Sequence, residues 1–159
     1  MIAECTAYDF KIELERRKIH DWLKSVSAFA NTEGGSLFFG VANDGAIVGL
    51  ENPQSVADFI SEKINAHLDP LPSWSLIPHD ADGKPVIELA VKEGSQTPYY
   101  VNLDGTRKAY VRSGNESIPV ESYQLVNLIL KGSNTTWDAV VTREKLEDHS
   151  FTMLANAVK

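Results

Sequence analysis

Asp21-Trp22-Leu23-Lys24-Ser25-Val26-Ser27-Ala28-Phe29-Ala30-Asn31-Thr32-Glu33-Gly34-Gly35-Ser36-Leu37-Phe38-Phe39-Gly40-Val41-Ala42-Asn43-Asp44-Gly45-Ala46-Ile47-Val48-Gly49-Leu50 is the stretch whose reading decides the fold. Its first part belongs to a helix spanning Glu13 to Ala30. Ile19, Trp22, Leu23, Val26, Phe29 and Ala30 recur at three- and four-residue steps and form one buried stripe opposite a charged face. Gly34-Gly35 stops the helix, because glycine readily takes the left-handed backbone that follows a helix end. The apolar run Ser36 to Val41 is expected to be a central strand covered on both faces. Asn43-Asp44-Gly45 has the composition of a hairpin turn, which predicts a second strand at Ala46 to Leu50.

Outward from this core the pattern continues in short elements. Asn52-Pro53 combines a capping side chain with proline in the first helical turn. Val56, Phe59, Ile60, Ile64 and Leu68 then mark a helix that Pro70 and Pro72 end. Strands are expected at Trp74 to His79 and Val86 to Lys92, joined through Asp82-Gly83. A further hairpin pairs Tyr99 to Val101 with Ala109 to Arg112 across Asp104-Gly105. Pro119 to Lys131 forms a last helix with Gly132 as its stop. Hairpins with three main helices against them predict an α+β fold with a mixed, mainly antiparallel sheet. Residues 1–132 are expected to form this domain. Residues 133–159 are expected to be a polar linker and a weaker helical segment built on Leu146, Phe151, Leu154 and Val158, leading into a further C-terminal domain.

Composition narrows the function classes. Of 159 residues, 43% are hydrophobic and 23% charged, the proportions of an ordinary globular chain rather than a disordered one. No apolar run approaches the roughly 20 residues that cross a bilayer, and Met1 to Glu4 does not open a secretory signal. Cys5, the single cysteine, has no internal partner. A cytoplasmic location without membrane attachment is therefore expected. The net charge of −7 argues against coating nucleic acid uniformly. Between Asp44 and Gln96 nine acids face only Lys63, Lys84 and Lys92. Positive charge gathers instead in two groups: Lys11, Arg16, Arg17, Lys18 and Lys24 on or before the first helix, and Arg107, Lys108 and Arg112 on the last hairpin.

These cations are the first candidate site. Lysine and arginine neutralise phosphates, and arginine also reads guanine edges. Tyr99, Tyr100 and Tyr110 are candidate stacking platforms for unpaired bases. The competing reading is structural: a charged helix face is commonly solvated, with Glu13, Glu15 and Asp21 pairing locally, and strand tyrosines are commonly half-buried. Gly34-Gly35 does not make a phosphate loop, since it follows a helix instead of opening one. His20, His67, His79 and His149 lack the spacing of zinc ligands.

The long stretch quoted above resembles the Schlafen-AlbA signature: a helix ending in Ala-Phe-Ala-Asn, a Gly-Gly stop, a strand ending in Gly-Val, a turn and a strand ending in Val-Gly-Leu. Asp9-Phe10-Lys11 resembles the family's opening Glu-Phe-Lys strand, with aspartate in place of glutamate. Pro98-Tyr99-Tyr100 and Ala109 to Gly114 resemble its closing hairpin, so the likeness covers roughly Glu4 to Gly132. The resemblance implies a DNA-binding module of a bacterial transcriptional regulator that needs no cofactor. It also implies an alternative, because relatives among the animal Schlafens are metal-dependent ribonucleases. Glu4, Asp9 and Asp44 stand where those relatives place their acids and would hold Mg²⁺ or Mn²⁺ for RNA cleavage. Against this, Asp44 has a simple role as a turn residue. A protein-interaction or homodimerisation domain is the third class that overall acidity and the C-terminal segment suggest.

Overall fold

The computed structural model describes residues 8–13 and 17–133. Ten elements follow one another as β1 (Tyr8–Lys11), α1 (Ile19–Asn31), β2 (Gly35–Phe39), α2 (Pro53–His67), β3 (Leu68–Asp69), β4 (Trp74–Ala81), β5 (Lys84–Val91), β6 (Tyr100–Leu103), β7 (Thr106–Ser113) and β8 (Glu116–Pro119). A last helix, α3, covers 122–133. The strands form two four-stranded sheets, ordered β1-β2-β5-β4 and β3-β6-β7-β8. Only β1 and β2 run parallel, and every other pairing is antiparallel. The fold is therefore α+β with three helices, as its hairpin-rich sequence predicts.

Helix α1 is the shared centre. Trp22, Leu23, Val26 and Phe29 are buried with Leu37, Phe39 and Leu89 of the first sheet and with Val101 and Tyr110 of the second. Val56, Ile60 and Ile64 of α2 close the same core. The 3.6-residue stripe of α1 thus packs among residues of both sheets. A smaller apolar cluster of Phe10, Val41 and Val86, with Phe38 packed against it, forms separately. At the far end, Tyr123, Val126, Ile129 and Leu130 of α3 are exposed, and Leu128 is buried.

Polar side chains fasten α1 to the second sheet. Ser27 Oγ donates to Tyr99 O at 2.7 Å and accepts from Tyr110 N at 3.1 Å. The Asn31 amide donates to Tyr99 O at 3.1 Å and Tyr110 O at 2.9 Å, and its oxygen accepts from Tyr99 N at 2.7 Å. All four backbone polar groups of Tyr99 and Tyr110 are thus satisfied by two helix side chains, as buried groups require. Gly94 completes the contact: its N–H donates to Ala30 O at 2.8 Å, and a Cβ there would lie 2.2 Å from the Tyr99 ring.

The sequence expectations differ from the structure in particular places. Helix α1 starts at Ile19, not Glu13, with Lys18 as its N-cap; the apolar stripe itself begins only at Ile19. Ala46 to Leu50 is not a strand, and a single bridge joins Val41 to Ile47. Gly45 and Gly49 have φ of 89° each, which interrupts the extended run. The segment instead folds back, with Val48 N and Gly49 N bonding Gly40 O and Leu50 N bonding Pro85 O. The expected helix after Pro119 begins at 122, because Glu116–Pro119 is drawn into β8 against β7. Asn52 caps α2 as expected, its side chain accepting from Ser55 N.

Replacing Asn31 with alanine would leave three buried backbone groups without that partner. Such a loss is expected to cost about 2–4 kcal/mol. Urea unfolding of Asn31→Ala against the exposed control Asn127→Ala checks this; equal midpoints for the two variants would show that the clamp is dispensable.

Candidate nucleic-acid interface

The β6–β7 hairpin turns at Asp104-Gly105, where Asp104 has a φ of 54° and Gly105 one of 76°. Its register pairs Val101 with Lys108, Asn102 with Arg107 and Leu103 with Thr106. Side chains alternate along a strand, so the neighbours Arg107 and Lys108 project from opposite faces. This separates cations that are adjacent in sequence.

On one face, Arg107 Nη1 donates to Asp69 Oδ2 at 3.0 Å and to Asn102 Oδ1 at 3.2 Å. Its guanidinium lies 4.1 Å from the centre of the Tyr100 ring. The pair with Asp69 is solvent-exposed and contributes little to stability. On the other face, Thr106, Lys108 and Tyr110 point toward α1 and meet its first turn at His20. With Val101, Leu103 and Asp104 they line an open depression of about 240 Å³. His20 Nε2 and the Tyr110 hydroxyl share a 2.7 Å hydrogen bond, and the two rings meet edge-on. Burial raises the Tyr110 phenol above its ordinary pKa of 10.0, so it keeps its proton at neutral pH. Arg17 and Lys18, both exposed, immediately precede this turn of α1. Lys24, half-buried, lies one turn beyond His20 on the same helical face.

The remaining candidates stand elsewhere. Arg112 is half-buried: Nη1 donates to Ser117 Oγ at 2.8 Å, Nη2 donates to Tyr8 O at 3.3 Å, and the guanidinium lies 4.8 Å from the centre of the Phe29 ring. It ties β7 to β1, β8 and α1. Lys11, on β1, pairs with Asp9 at 3.8 Å. Arg16 and Glu4 lie outside the described residues. Asp9 is buried and accepts from Ser25 Oγ at 3.1 Å, and Ser25 Oγ in turn lies 3.0 Å from Ser117 Oγ. Asp9 and Arg112, proposed for different tasks, thus join one internal polar network through the serines. Asp44 Oδ1 accepts from Ala46 N at 3.0 Å, as a turn aspartate does. Among the described residues, no three His, Cys, Asp or Glu side chains gather as a metal-binding group. Tyr99 and Tyr110 are each 4% exposed, so neither ring face is open to a base. Tyr100 is half-buried beneath Arg107.

His20 is the residue that sequence reasoning missed as a site member. Ninety positions separate it from Tyr110, and an isolated histidine on the polar side of a helix carries no local signal. The parity of Arg107 and Lys108, by contrast, was readable once β7 was placed. Among the described residues, no helix is long and apolar enough to cross a membrane.

A helix fastened between two open sheets, with a parallel opening strand and an overhanging hairpin, defines a particular class of α+β domain. The chain belongs to the Schlafen AlbA_2 family, whose model matches residues 4–121. No curated protein matches it significantly in sequence. Among solved structures, DIP2311 from Corynebacterium diphtheriae is similar at 22% identity and a TM-score of 0.57, over 79% of this chain and 24% of that one. The chain thus spans about a quarter of that protein's length. The N-terminal domain of a protein described as related to the ATP-dependent DNA helicase RecG, from Nitrosomonas europaea, is similar at 20% identity and a TM-score of 0.51. The likeness covers 74% of this chain and 86% of that domain. At these identities the likenesses show the fold.

The raised Tyr110 pKa has a consequence for alkaline stability. The folded state holds this proton more tightly than the unfolded chain does. The associated stability is fully present below about pH 10 and is lost as the pH rises through the folded-state pKa. Tyr110→Phe is expected to flatten that alkaline decline and to cost about 0.5–1.5 kcal/mol at neutral pH through the lost bond to His20. Denaturant midpoints between pH 7 and pH 11 test it; parallel profiles for both proteins would remove Tyr110 as the titrating group.

Proposed function

We propose that this chain is a nucleic-acid-binding module, with DNA as its target and a larger regulatory protein as its setting. Its phosphate-contacting face is the surface where the start of α1 meets the β6–β7 hairpin. One observation carries this reading: Lys108 and His20 line the same open depression, with Arg17 and Lys18 on the exposed approach to that helix. Cationic and hydrogen-bonding groups from elements distant in sequence are thereby available to one polyanion. The overall net charge of −7 does not prevent this, because phosphates respond to the local field. The likeness to a domain from a RecG-related protein supports the same direction.

Within this proposal Lys108 contacts phosphate directly, and Arg107, already held by Asp69 and Tyr100, contributes less. Lys108→Glu is expected to weaken binding of a labelled duplex about fivefold or more at low salt. It should also reduce the steepness of the salt dependence by about one unit. Arg107→Ala is expected to change affinity less than the Lys108 variant does. Fluorescence anisotropy across a salt series makes the comparison. Unaltered affinity and slope in Lys108→Glu would overturn the proposed face.

A further inference from the structure

We infer that the depression between α1 and the hairpin is a receptor for one unpaired nucleotide, so that the module prefers single-stranded to fully paired nucleic acid. This rests on the nucleic-acid reading above and specifies what the same surface recognises. Phosphate contact alone would need only a convex or flat basic surface. Here the surface is concave, and its lining is mixed in a way that suits a nucleotide.

Half-buried Leu103 contributes accessible apolar surface, with buried Val101 and Tyr110 behind it. An aromatic base can lie against such surface, whereas a phosphate or a hydrated ion gains nothing from it. Lys108 and Thr106 stand on the hairpin side and supply a cation and a hydroxyl for the adjoining backbone. Asp104, at the hairpin tip, can accept from an exocyclic amino group but repels phosphate. Its presence therefore favours a base edge at that end of the depression and the phosphate toward Lys108. His20 is exposed yet held at 2.7 Å by Tyr110, which fixes an imidazole plane beside the opening. Histidine is among the side chains on which unstacked bases lie.

Size points the same way. At about 240 Å³ the depression is smaller than the roughly 300–1,000 Å³ pockets that enclose drug-sized ligands. A depression of that size has room for a small group and not for a large ligand. In a duplex every base is stacked and paired, so occupying this site would first require extruding a nucleotide. A single strand offers one without that cost.

The test uses the whole 159-residue chain and labelled oligonucleotides of about twelve nucleotides, as single strand, as duplex, and as a single strand with abasic positions. Thr106→Trp serves as a filling variant, because Thr106 is exposed and its replacement leaves Lys108 in place. Anisotropy titrations at one salt concentration are expected to show single strand bound about tenfold more tightly than duplex. Abasic substitution and Thr106→Trp should each erase that preference for single strand over duplex. Equal or tighter binding of duplex by the parent protein would overturn the nucleotide receptor while leaving the nucleic-acid interface standing. A single-strand preference that survives in Thr106→Trp or on abasic strands would remove the depression as its origin. Absence of binding to all three oligonucleotides would sink the interface itself.

Discussion

The structure depends on how two side chains of α1, Ser27 and Asn31, replace a rung of the second sheet. Tyr99 and Tyr110 face each other where β6 gives way to the preceding loop, and their backbone groups are buried. A direct ladder pairing would satisfy those groups within the sheet and leave the helix free to slide over it. Bonding them through Ser27 and Asn31 instead fixes the helix against the sheet in both position and rotation. Because the same helix packs Leu23, Val26 and Phe29 among residues of both sheets, it becomes the joint between them. The Phe-Ala-Asn ending of the helix thereby acquires a physical role. Phe29 packs in the core, Ala30 is small enough for Gly94 to approach its carbonyl, and Asn31 carries the clamp.

That constraint reaches the surface. With α1 held by Asn31 at its C-terminal end, its first turn meets β7 at a defined place, where His20 bonds Tyr110. Tyr110 takes part twice, through its backbone in the clamp and through its hydroxyl with His20. The hairpin continues past this contact, so Thr106 and Lys108 line the open depression together with His20. The site is consequently a product of the fold's central joint and not of a separate loop. Its shape should be as rigid as the buried clamp behind it, which suits recognition by a preorganised surface.

Much of this fold was legible because it is written in local chemistry. Asn52-Pro53, Asp82-Gly83 and Asp104-Gly105 each specify a cap or turn with nearest neighbours alone, and each appears where expected. Ala46 to Leu50 misled because its apolar residues have strand composition, while Gly45 and Gly49 supply positive φ that turns the chain back. The two-residue β3 and the short β8 exist only because β6 and β7 present edges to them, which no window of sequence reveals. The site was half legible. Lys108 could be proposed from charge, but its separation from Arg107 depended on knowing the register, and its meeting with His20 depended on the tertiary clamp.

Electrostatics distinguishes the cations that serve the fold from those placed against it. Arg112 makes hydrogen bonds to Ser117 and Tyr8, Lys11 pairs with Asp9, and Arg107 pairs with Asp69; each gains from the folded arrangement. Lys18 stands at the start of the central helix. It occupies the N-cap of α1 with no side-chain cap bond to the helix, and Arg17 precedes it. The N-terminus of a helix carries partial positive charge, so cations there are disfavoured by about 0.3–1 kcal/mol each, and serine, threonine, aspartate or asparagine is the usual choice. Asp21 in the first turn offsets part of this. Arg17 and Lys18 thus stand at the end of the central helix where the dipole opposes positive charge, just before His20. A phosphate arriving there would relieve the repulsion among the cations and meet the helix dipole at once. For the polyanion proposed above, cations at this end of α1 and the helix dipole would act on the same phosphate, an electrostatic reason to test this end of the helix and not its length.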